Sequence, residues 1–169
     1  ANDIAVNTLD VATIRASNGT TAATIDSSGI VKKPKVPAFA AKISSNWTTS
    51  GATVIFDTES YDNSNNYNTS TGVFTAPVDG MYSFTTGGAR YYNDPTTDYI
   101  LYLKKNGVSQ MGFLNTHEQG RFSWTGGSYA MYLDSGDEVS VEWWAAGSGN
   151  KTLYASGSSS GYFTGYFIG

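Results

Sequence analysis

The side chains best suited to acid–base chemistry in this sequence of 169 residues are one histidine and three groups of carboxylates. His117 has no second histidine with which to form a zinc site and no recognisable serine–histidine–aspartate arrangement, so we expect an ordinary loop residue. Paired carboxylates hydrolyse glycosides when they flank the scissile bond. The first of the three groups of carboxylates is Asp57, Glu59 and Asp62. The second is Asp94 and Asp98, and the third is Asp134, Asp137 and Glu138. All lie among turn-forming residues, so we expect them to bond turn backbones and aid solubility, and we expect no catalytic residue.

Carboxylates that share a loop are also suited to binding calcium, which prefers oxygen ligands. Asp94 and Asp98 lie in one predicted loop together with Asn93. If calcium binds to this protein, these two aspartates are the expected ligands, and no other cofactor is expected. Titration calorimetry with calcium tests this expectation, because an absence of binding heat would contradict it.

Aromatic side chains are the best candidates for contacts with a glycan or protein ligand. The sequence has 12 Tyr, 8 Phe and 4 Trp. Tyr91, Tyr92 and Trp124 are the candidate ligand contacts, although burial in an interface between subunits is the favoured use of such aromatic side chains. Neighbouring residues in a strand point to opposite faces of the sheet, so one of Trp143 and Trp144 is expected to face outward.

The composition excludes several classes of partner. Only 14% of the residues are charged and the net charge is −4, whereas a nucleic-acid-binding protein carries clustered Lys and Arg. The one basic cluster, Lys32, Lys33 and Lys35, stands beside prolines and is expected to be a solvated linker. The sequence contains no cysteine, hence no disulfide, and no long apolar run that would insert into a membrane.

Three segments with different composition are expected to position these side chains. Residues 1–31 are a short β segment for attachment or oligomerisation, and Asn18-Gly19 predicts a β-hairpin there because both residues of a tight two-residue turn need a positive φ. Residues 32–37 are a proline-rich linker. Residues 38–169 are a single all-β domain, in which Asn106-Gly107 predicts a second hairpin.

Short apolar–polar alternations separated by turns predict ten strands beyond the linker, and that number favours a sandwich or jelly roll. Gly126 and Gly127 are expected to weaken or bend the strand that contains them. The predicted strands cover 38–44, 53–56, two strands within 67–74 around a Ser-Thr-Gly turn, 80–89, 98–105, 108–114, 122–133, 138–145 and 162–168.

Seven residues between positions 56 and 84 have a spacing that resembles the globular head of complement component 1q. They are Phe56, Asp62, Tyr67, Phe74, Gly80, Tyr82 and Phe84. The last aromatic position of this pattern is Thr86 here. The resemblance covers roughly residues 37–169 and implies a jelly-roll sandwich of the complement 1q/tumour-necrosis-factor type.

The resemblance also implies a homotrimer. The closing segment, Gly161 to Phe167, is similar to the family's last strand, where small residues let aromatic side chains pack near the trimer axis. The interface residues that this similarity implies are Tyr82, Phe84, Tyr162, Phe163, Tyr166 and Phe167. Some relatives in the family bind calcium, which adds to the interest of Asp94 and Asp98.

Residues 13–29 resemble segments of phage tail-fibre and head-fibre proteins. Combined with a trimeric head, this resemblance implies a non-enzymatic structural protein of a virion, either a fibre or knob or a decoration of the capsid. Residues 1–31 would anchor it to other virion proteins, and the head would stabilise the shell or bind a glycan or protein of the host surface.

Two other functions remain open. The chain is alternatively a secreted or cell-surface recognition module of the complement 1q type, located outside the cell, which binds protein or carbohydrate. It lacks any collagen-like Gly-X-Y run, and this argues against close kinship with complement itself. A carbohydrate-active enzyme that uses one of the carboxylate groups is the third and least favoured function.

Overall fold

The computed structural model describes residues 12–91, 98–115, 122–146, 152–155 and 161–169. Two compact units divide the chain, Ala1–Val36 and Pro37–Gly169, and the division falls within the predicted proline-rich linker. All regular structure in the described residues is β-strand, as the composition predicts. No helix in these ranges is long and apolar enough to cross a bilayer.

The first unit contains a three-stranded antiparallel sheet of β1 (Thr13–Arg15), β2 (Thr21–Ile25) and β3 (Val31–Lys32). The hairpin predicted at Asn18-Gly19 joins β1 to β2 and is confirmed, but its turn differs from the expected one. Gly19 has a φ of 83°, whereas Asn18 is not among the non-glycine residues with a positive φ. The amide of Gly19 donates to the carbonyl of Ala16 at 2.9 Å. The loop therefore has three residues and closes with a glycine bulge.

The second unit, which we call the head, consists of two antiparallel sheets. A six-stranded sheet has the order β11-β10-β13-β8-β7, with β5 added on β13, and a five-stranded sheet has the order β12-β9-β14-β4-β6. The strands are β4 (Ala38–Lys42), β5 (Ala52–Thr53), β6 (Thr58–Asp62), β7 (Tyr67–Asn68), β8 (Val73–Thr75), β9 (Gly80–Tyr91), β10 (Tyr99–Lys105), β11 (Val108–Asn115), β12 (Phe122–Leu133), β13 (Glu138–Ala145) and β14 (Tyr162–Phe167).

The described part of the head thus has eleven strands where ten were predicted. The strand expected at 53–56 ends at Thr53, and a strand that was not predicted begins at Thr58. Between them the chain crosses from the six-stranded sheet to the five-stranded sheet. Val54 and Phe56 are fully buried because they lie on this crossing and point into the core. Their apolar alternation is therefore a feature of the crossing and not of a strand.

The core between the two sheets is built largely from aromatic rings. Phe39 stacks on Tyr67 with ring centroids 4.7 Å apart, and Phe163 meets Phe39 edge-on at 5.0 Å. Phe84 packs against Phe74 at 5.5 Å. Offset and edge-on contacts of this kind add to the free energy gained by burying the rings. This aromatic packing stabilises the head in a chain that has no cysteine and therefore no disulfide.

Gly126 lies within a continuous strand rather than at a break. It is paired with Gly87 in the β9–β12 ladder, which runs without interruption from Phe122 to Leu133. A Cβ at Gly126 would lie 2.3 Å from the carbonyl oxygen of Thr86. The glycine therefore permits a close approach of two backbones, one of the known reasons for glycine in a strand.

Candidate functional site

The residues of the sequence pattern build the core and its turns. The side chains of Phe56, Tyr67, Phe74, Tyr82 and Phe84 are all buried. Burial raises the pKa of the Tyr67 hydroxyl well above its usual range, and this hydroxyl donates to the carbonyl of Phe56. These side chains hold the fold and are closed to a ligand.

Asp62 shows why the pattern needs an aspartate at this position. One carboxylate oxygen accepts from the amide of Tyr67 at 2.7 Å and the other from the amide of Ser64 at 3.0 Å. This carboxylate holds the loop between β6 and β7, as is typical of aspartate in turns. Asp62 therefore has the turn role that was expected.

Gly80 and Thr86 are the remaining two positions of the pattern. Gly80 has a φ of 146°, and a Cβ there would lie 2.5 Å from the ring of Phe167. Thr86, which replaces the last aromatic residue, is fully buried, and its hydroxyl donates to the carbonyl of Tyr162 at 2.9 Å. Because the hydroxyl is satisfied, the departure from the pattern leaves no unpaired polar group in the core.

The predicted interface residues divide between the two faces of the five-stranded sheet. Tyr82, Phe84 and Phe163 are buried inside a single subunit, so their side chains cannot contact a neighbouring subunit, and this part of the prediction is corrected. Phe167 is half-buried and packs on Tyr82 with centroids 5.1 Å apart. Tyr166 has 52% of its surface exposed on the opposite face, and Tyr162 is partly exposed.

The outward face of four strands of the five-stranded sheet, β4, β9, β12 and β14, carries small and aromatic side chains, and we call it the small-and-aromatic face. The strand register aligns Tyr132 with Met81, Ala130 with Ser83, and Ser83 with Tyr166. Lys42 is the one charged residue at an outward position of β4, β9, β12 and β14 among the described side chains. The members of the face are Ala38, Ala40, Met81, Ser83, Thr85, Ser128, Ala130, Tyr132, Thr164, Tyr166 and, beyond β14, Ile168.

Of the predicted ligand contacts, Trp124 is the one whose side chain lies among the described residues. Its exposed fraction is 49%, and with Tyr162, Gly87 and Gly126 it lines a cleft of about 230 Å³. Tyr91 ends β9 and its side chain lies outside the described residues, as does the whole of Tyr92.

The tryptophan pair of β13 divides between the two faces, as expected for neighbours in a strand. Trp143 is fully buried and packs against Tyr99 with ring centroids 5.2 Å apart, whereas Trp144 is partly exposed.

The described carboxylates mostly bond turns. The Asp57 carboxylate accepts from the Ser44 amide at 2.7 Å. The Asp137 carboxylate pairs with the Lys105 ammonium at 2.6 Å and accepts from the Asn106 amide group at 2.7 Å. These contacts, with Lys105 the largest cause, lower the pKa of Asp137 to about 2.

Two of the residues predicted for metal binding or acid–base chemistry, Asp94 and His117, lie outside the described residues. The carbonyl of Asp98 accepts from the amide of Ala146 at 3.0 Å. The described ranges hold no group of three or more acidic or histidine side chains suited to a metal. Binding of calcium through Asp94 and Asp98 stays a prediction.

A polar cavity of about 500 Å³, which was not predicted, is lined by β6, by β7 and the loop that precedes it, and by residues 75–77 at the end of β8. Side-chain amides, hydroxyls and one carboxylate dominate its lining. The only hint in the sequence is the run of asparagines between positions 63 and 68. Its lining residues include Glu59, Asn65, Asn66, Asn68, Thr75 and Pro77.

Comparison with known proteins identifies the architecture. The family model described as the C1q domain matches residues 38–168. The globular domain of zebrafish complement 1qA protein is 24% identical, with a TM-score of 0.61, over 80% of this chain and 98% of that one. Eiger, a tumour necrosis factor from S. frugiperda, is 12% identical with a TM-score of 0.57, over 79% and 92% of the two chains. Murine APRIL at pH 5.0 is 9% identical with a TM-score of 0.60, over 79% and 100%.

Proposed function

Since the match over residues 38–168 shows that this chain belongs to the C1q domain family, we propose that it is a non-enzymatic recognition module that acts as a homotrimer outside the cell. Its head binds protein or carbohydrate. The observation that carries the proposal is the small-and-aromatic face, an extended outward sheet surface with little charge. A face of this kind is typical of the interfaces through which subunits associate.

The composition of this face supports association between copies of the same chain. Tyr132, Tyr166 and Ile168 each expose more than half of their surface, and Met81 exposes 38%. Alanine and serine between them let another backbone approach closely. In a closed ring every subunit presents the same two surfaces to its neighbours, so a nearly neutral face places few like charges opposite one another.

The roles of the described carboxylates support a binding module rather than an enzyme. Asp57, Asp62 and Asp137 all accept hydrogen bonds from turn or loop residues. A glycosidase needs two carboxylates facing one substrate bond, one of them free to donate a proton. These three carboxylates hold turns and loops of the head, and this supports a role in binding rather than in catalysis.

Substitutions on the small-and-aromatic face test the proposed assembly. The double variant Tyr132→Lys with Tyr166→Lys introduces like charges where copies would meet, and we expect it to sediment as a monomer while the natural chain sediments as a trimer. Val108→Lys, at the exposed tip of the β10–β11 hairpin, is the matched control and should leave the trimer intact. A natural chain that is monomeric at micromolar concentration would overturn the proposal.

The first unit favours a second candidate function, that of an appendage anchored to a larger particle such as a virion. The register places Ile14 opposite Ala23 and Ile25 opposite Val31, so these side chains share one face of the sheet. Ala23 is buried, but the other three remain exposed. A single layer of strands cannot cover such a face by itself, and virion proteins that bind residues 1–31 would do so.

Locating the native protein separates the two functions. Antibody labelling in electron microscopy is expected to find a recognition module on secreted material or a cell surface, and an appendage on particles. If labelling on particles is lost when residues 1–31 are deleted, the second function is supported. An absence of label on particles, with the protein in the medium, would reject it.

A further inference from the structure

We propose that the polar cavity lined by β6 and β7 binds the hydroxyl groups of a neutral saccharide. The inference rests on the proposed recognition function and names its ligand class. The cavity measures about 500 Å³, and ligand sites commonly have volumes of roughly 300–1,000 Å³. It therefore has room for one or two sugar rings.

The planar side-chain amides in the lining match the geometry of a sugar. Asn65, Asn66 and Asn68 all line the cavity. A side-chain amide carries an acceptor and two donors in one plane, so it can bond two neighbouring hydroxyls at once. Thr75 adds a hydroxyl that both donates and accepts. Such groups fix the orientation of a polar ligand, whereas an apolar peptide would leave them unpaired.

Asn66 supplies an unused donor. Its Nδ2 atom is buried and has no hydrogen-bond partner among the described residues. Its backbone carbonyl accepts from the amide of Thr75 at 2.8 Å, which fixes the main chain at this position. A buried donor without a partner costs free energy, and buried polar groups in native proteins are nearly always paired. A ligand acceptor that bonds this amide would remove that cost.

The loop that carries these amides is held in place before any ligand binds. Asp62 accepts from two of its backbone amides, at Ser64 and Tyr67. Asn65 has a φ of 55°, a left-handed conformation that asparagine tolerates better than most residues. The Oδ1 atom of Asn68 accepts from the Ser70 amide at 2.8 Å, which fixes the plane of that side chain. A loop ordered in advance loses little conformational entropy on binding.

The charge of the cavity selects a neutral ligand. Glu59 is the only charged residue among the described lining residues. Its carboxylate accepts hydrogen bonds from hydroxyls and repels sulfate or carboxylate groups, so sulfated and acidic sugars are disfavoured. One carboxylate is also too few for a calcium site, which takes six to eight oxygen ligands and usually several charges. A neutral sugar is the occupant that satisfies both conditions.

Binding of the full-length chain to a glycan array, followed by calorimetry with the best neutral glycan, tests the inference. Glu59→Ala removes the carboxylate acceptor, and Asn65→Gly removes one amide while retaining the left-handed backbone. Each should weaken binding at least about tenfold, because hydrogen bonds to a buried ligand are costly to lose. Gln110→Ala, an exposed polar residue of β11 at the edge of the six-stranded sheet opposite β7, is the control and should bind like the natural chain.

Three results would overturn the inference while leaving the proposed function standing. They are a trimer that binds no neutral glycan, neutral-glycan binding that both cavity variants retain, and a preference for sulfated or sialylated glycans. A monomer that binds neither glycan nor protein would overturn the proposed function as well. Thermal melts of the variants show whether a loss of binding reflects unfolding, and if one variant unfolds the other carries the test.

Discussion

The two units of this chain both form β-strands, but they differ in how completely they bury their apolar side chains. Among the described residues, the first unit buries the apolar side chain of Ala23 and leaves Ile14, Ile25 and Val31 exposed, whereas the head buries Trp143 and the aromatic rings around it completely. The difference lies in the number of layers. A single three-stranded sheet has no second layer to cover its apolar face, and two facing sheets cover each other.

The comparison teaches that strand propensity and autonomy are separate properties. In both units the hairpins form where Asn-Gly pairs predict them, so local signals act alike. Only the head packs its strands around a closed hydrophobic core. The first unit is therefore expected to depend on a partner, and the head is expected to be independent of the first unit.

The largest expected effect follows from removing a core ring of the head. Trp143→Ala should lower the free energy of unfolding by about 3–5 kcal/mol, because it deletes a fully buried ring and leaves a cavity. Trp144→Ala, the outward neighbour, should cost well under half as much. Urea denaturation measures both. Equal losses would contradict the assignment of the two faces.

A smaller effect is expected from filling a close contact in the same core. A Cβ at Gly165 would lie 2.6 Å from the ring of Phe39 and 2.7 Å from that of Phe84. Gly165→Ala should therefore destabilise the head by about 1–3 kcal/mol, which is typical of overpacking. Gly19→Asn is the comparison in the first unit, because open space surrounds Gly19 and asparagine tolerates a positive φ. The melting temperature of the head should fall in the first variant alone.

A change in pH should reveal how much Asp137 contributes to the stability of the head. The pKa of Asp137 is lowered from 3.8 to about 2, first by the Lys105 contact and then by Asn106. A carboxyl with a lowered pKa stabilises the folded state above its unfolded pKa, and this contribution is lost as the pH falls from about 4 towards about 2. Asp137→Asn should thus be less stable than the natural chain at pH 7 and nearly equal to it at pH 2. Urea midpoints check this, with Asp134→Asn expected to change little.

The smallest expected effect is that of removing the first unit. Deleting residues 1–36 should leave the melting temperature of the head nearly unchanged, because the head has its own core. Conversely, a peptide of residues 1–36 alone should show no cooperative unfolding by circular dichroism. A large loss of head stability on deletion, or a stably folded peptide, would break the contrast between the units.

The fold could be predicted because its signals are local and repeated. Alternating aromatics, Asn-Gly turns and the spacing from Phe56 to Phe84 all act within short stretches of chain. The tight two-residue turn at Asn106-Gly107 shows this most clearly, since both residues have the expected positive φ, 49° and 78°. At Asn18-Gly19 the same pair forms a different turn, because the ladder of that hairpin shifts in register next to Arg15.

The surfaces were harder to predict than the fold. The family resemblance implies a trimer interface but does not tell which face of the sheet is the outer one, and two of the interface residues that it implies, Tyr82 and Phe84, lie in the core. Strand β6 (Thr58–Asp62) was missed because its polar edge sequence lacks alternation. The polar cavity depends on residues from separate elements, such as Glu59 and Thr75, that only the folded chain brings together.

Native mass spectrometry of the full chain tests the central claim, association of three copies through the small-and-aromatic face, most directly. A dominant species at three times the 18.0 kDa of one chain is the predicted result, with a shift to single chains in the Tyr132→Lys, Tyr166→Lys double variant. A single-chain mass for the natural protein, or a trimer that the double variant retains, would contradict the account.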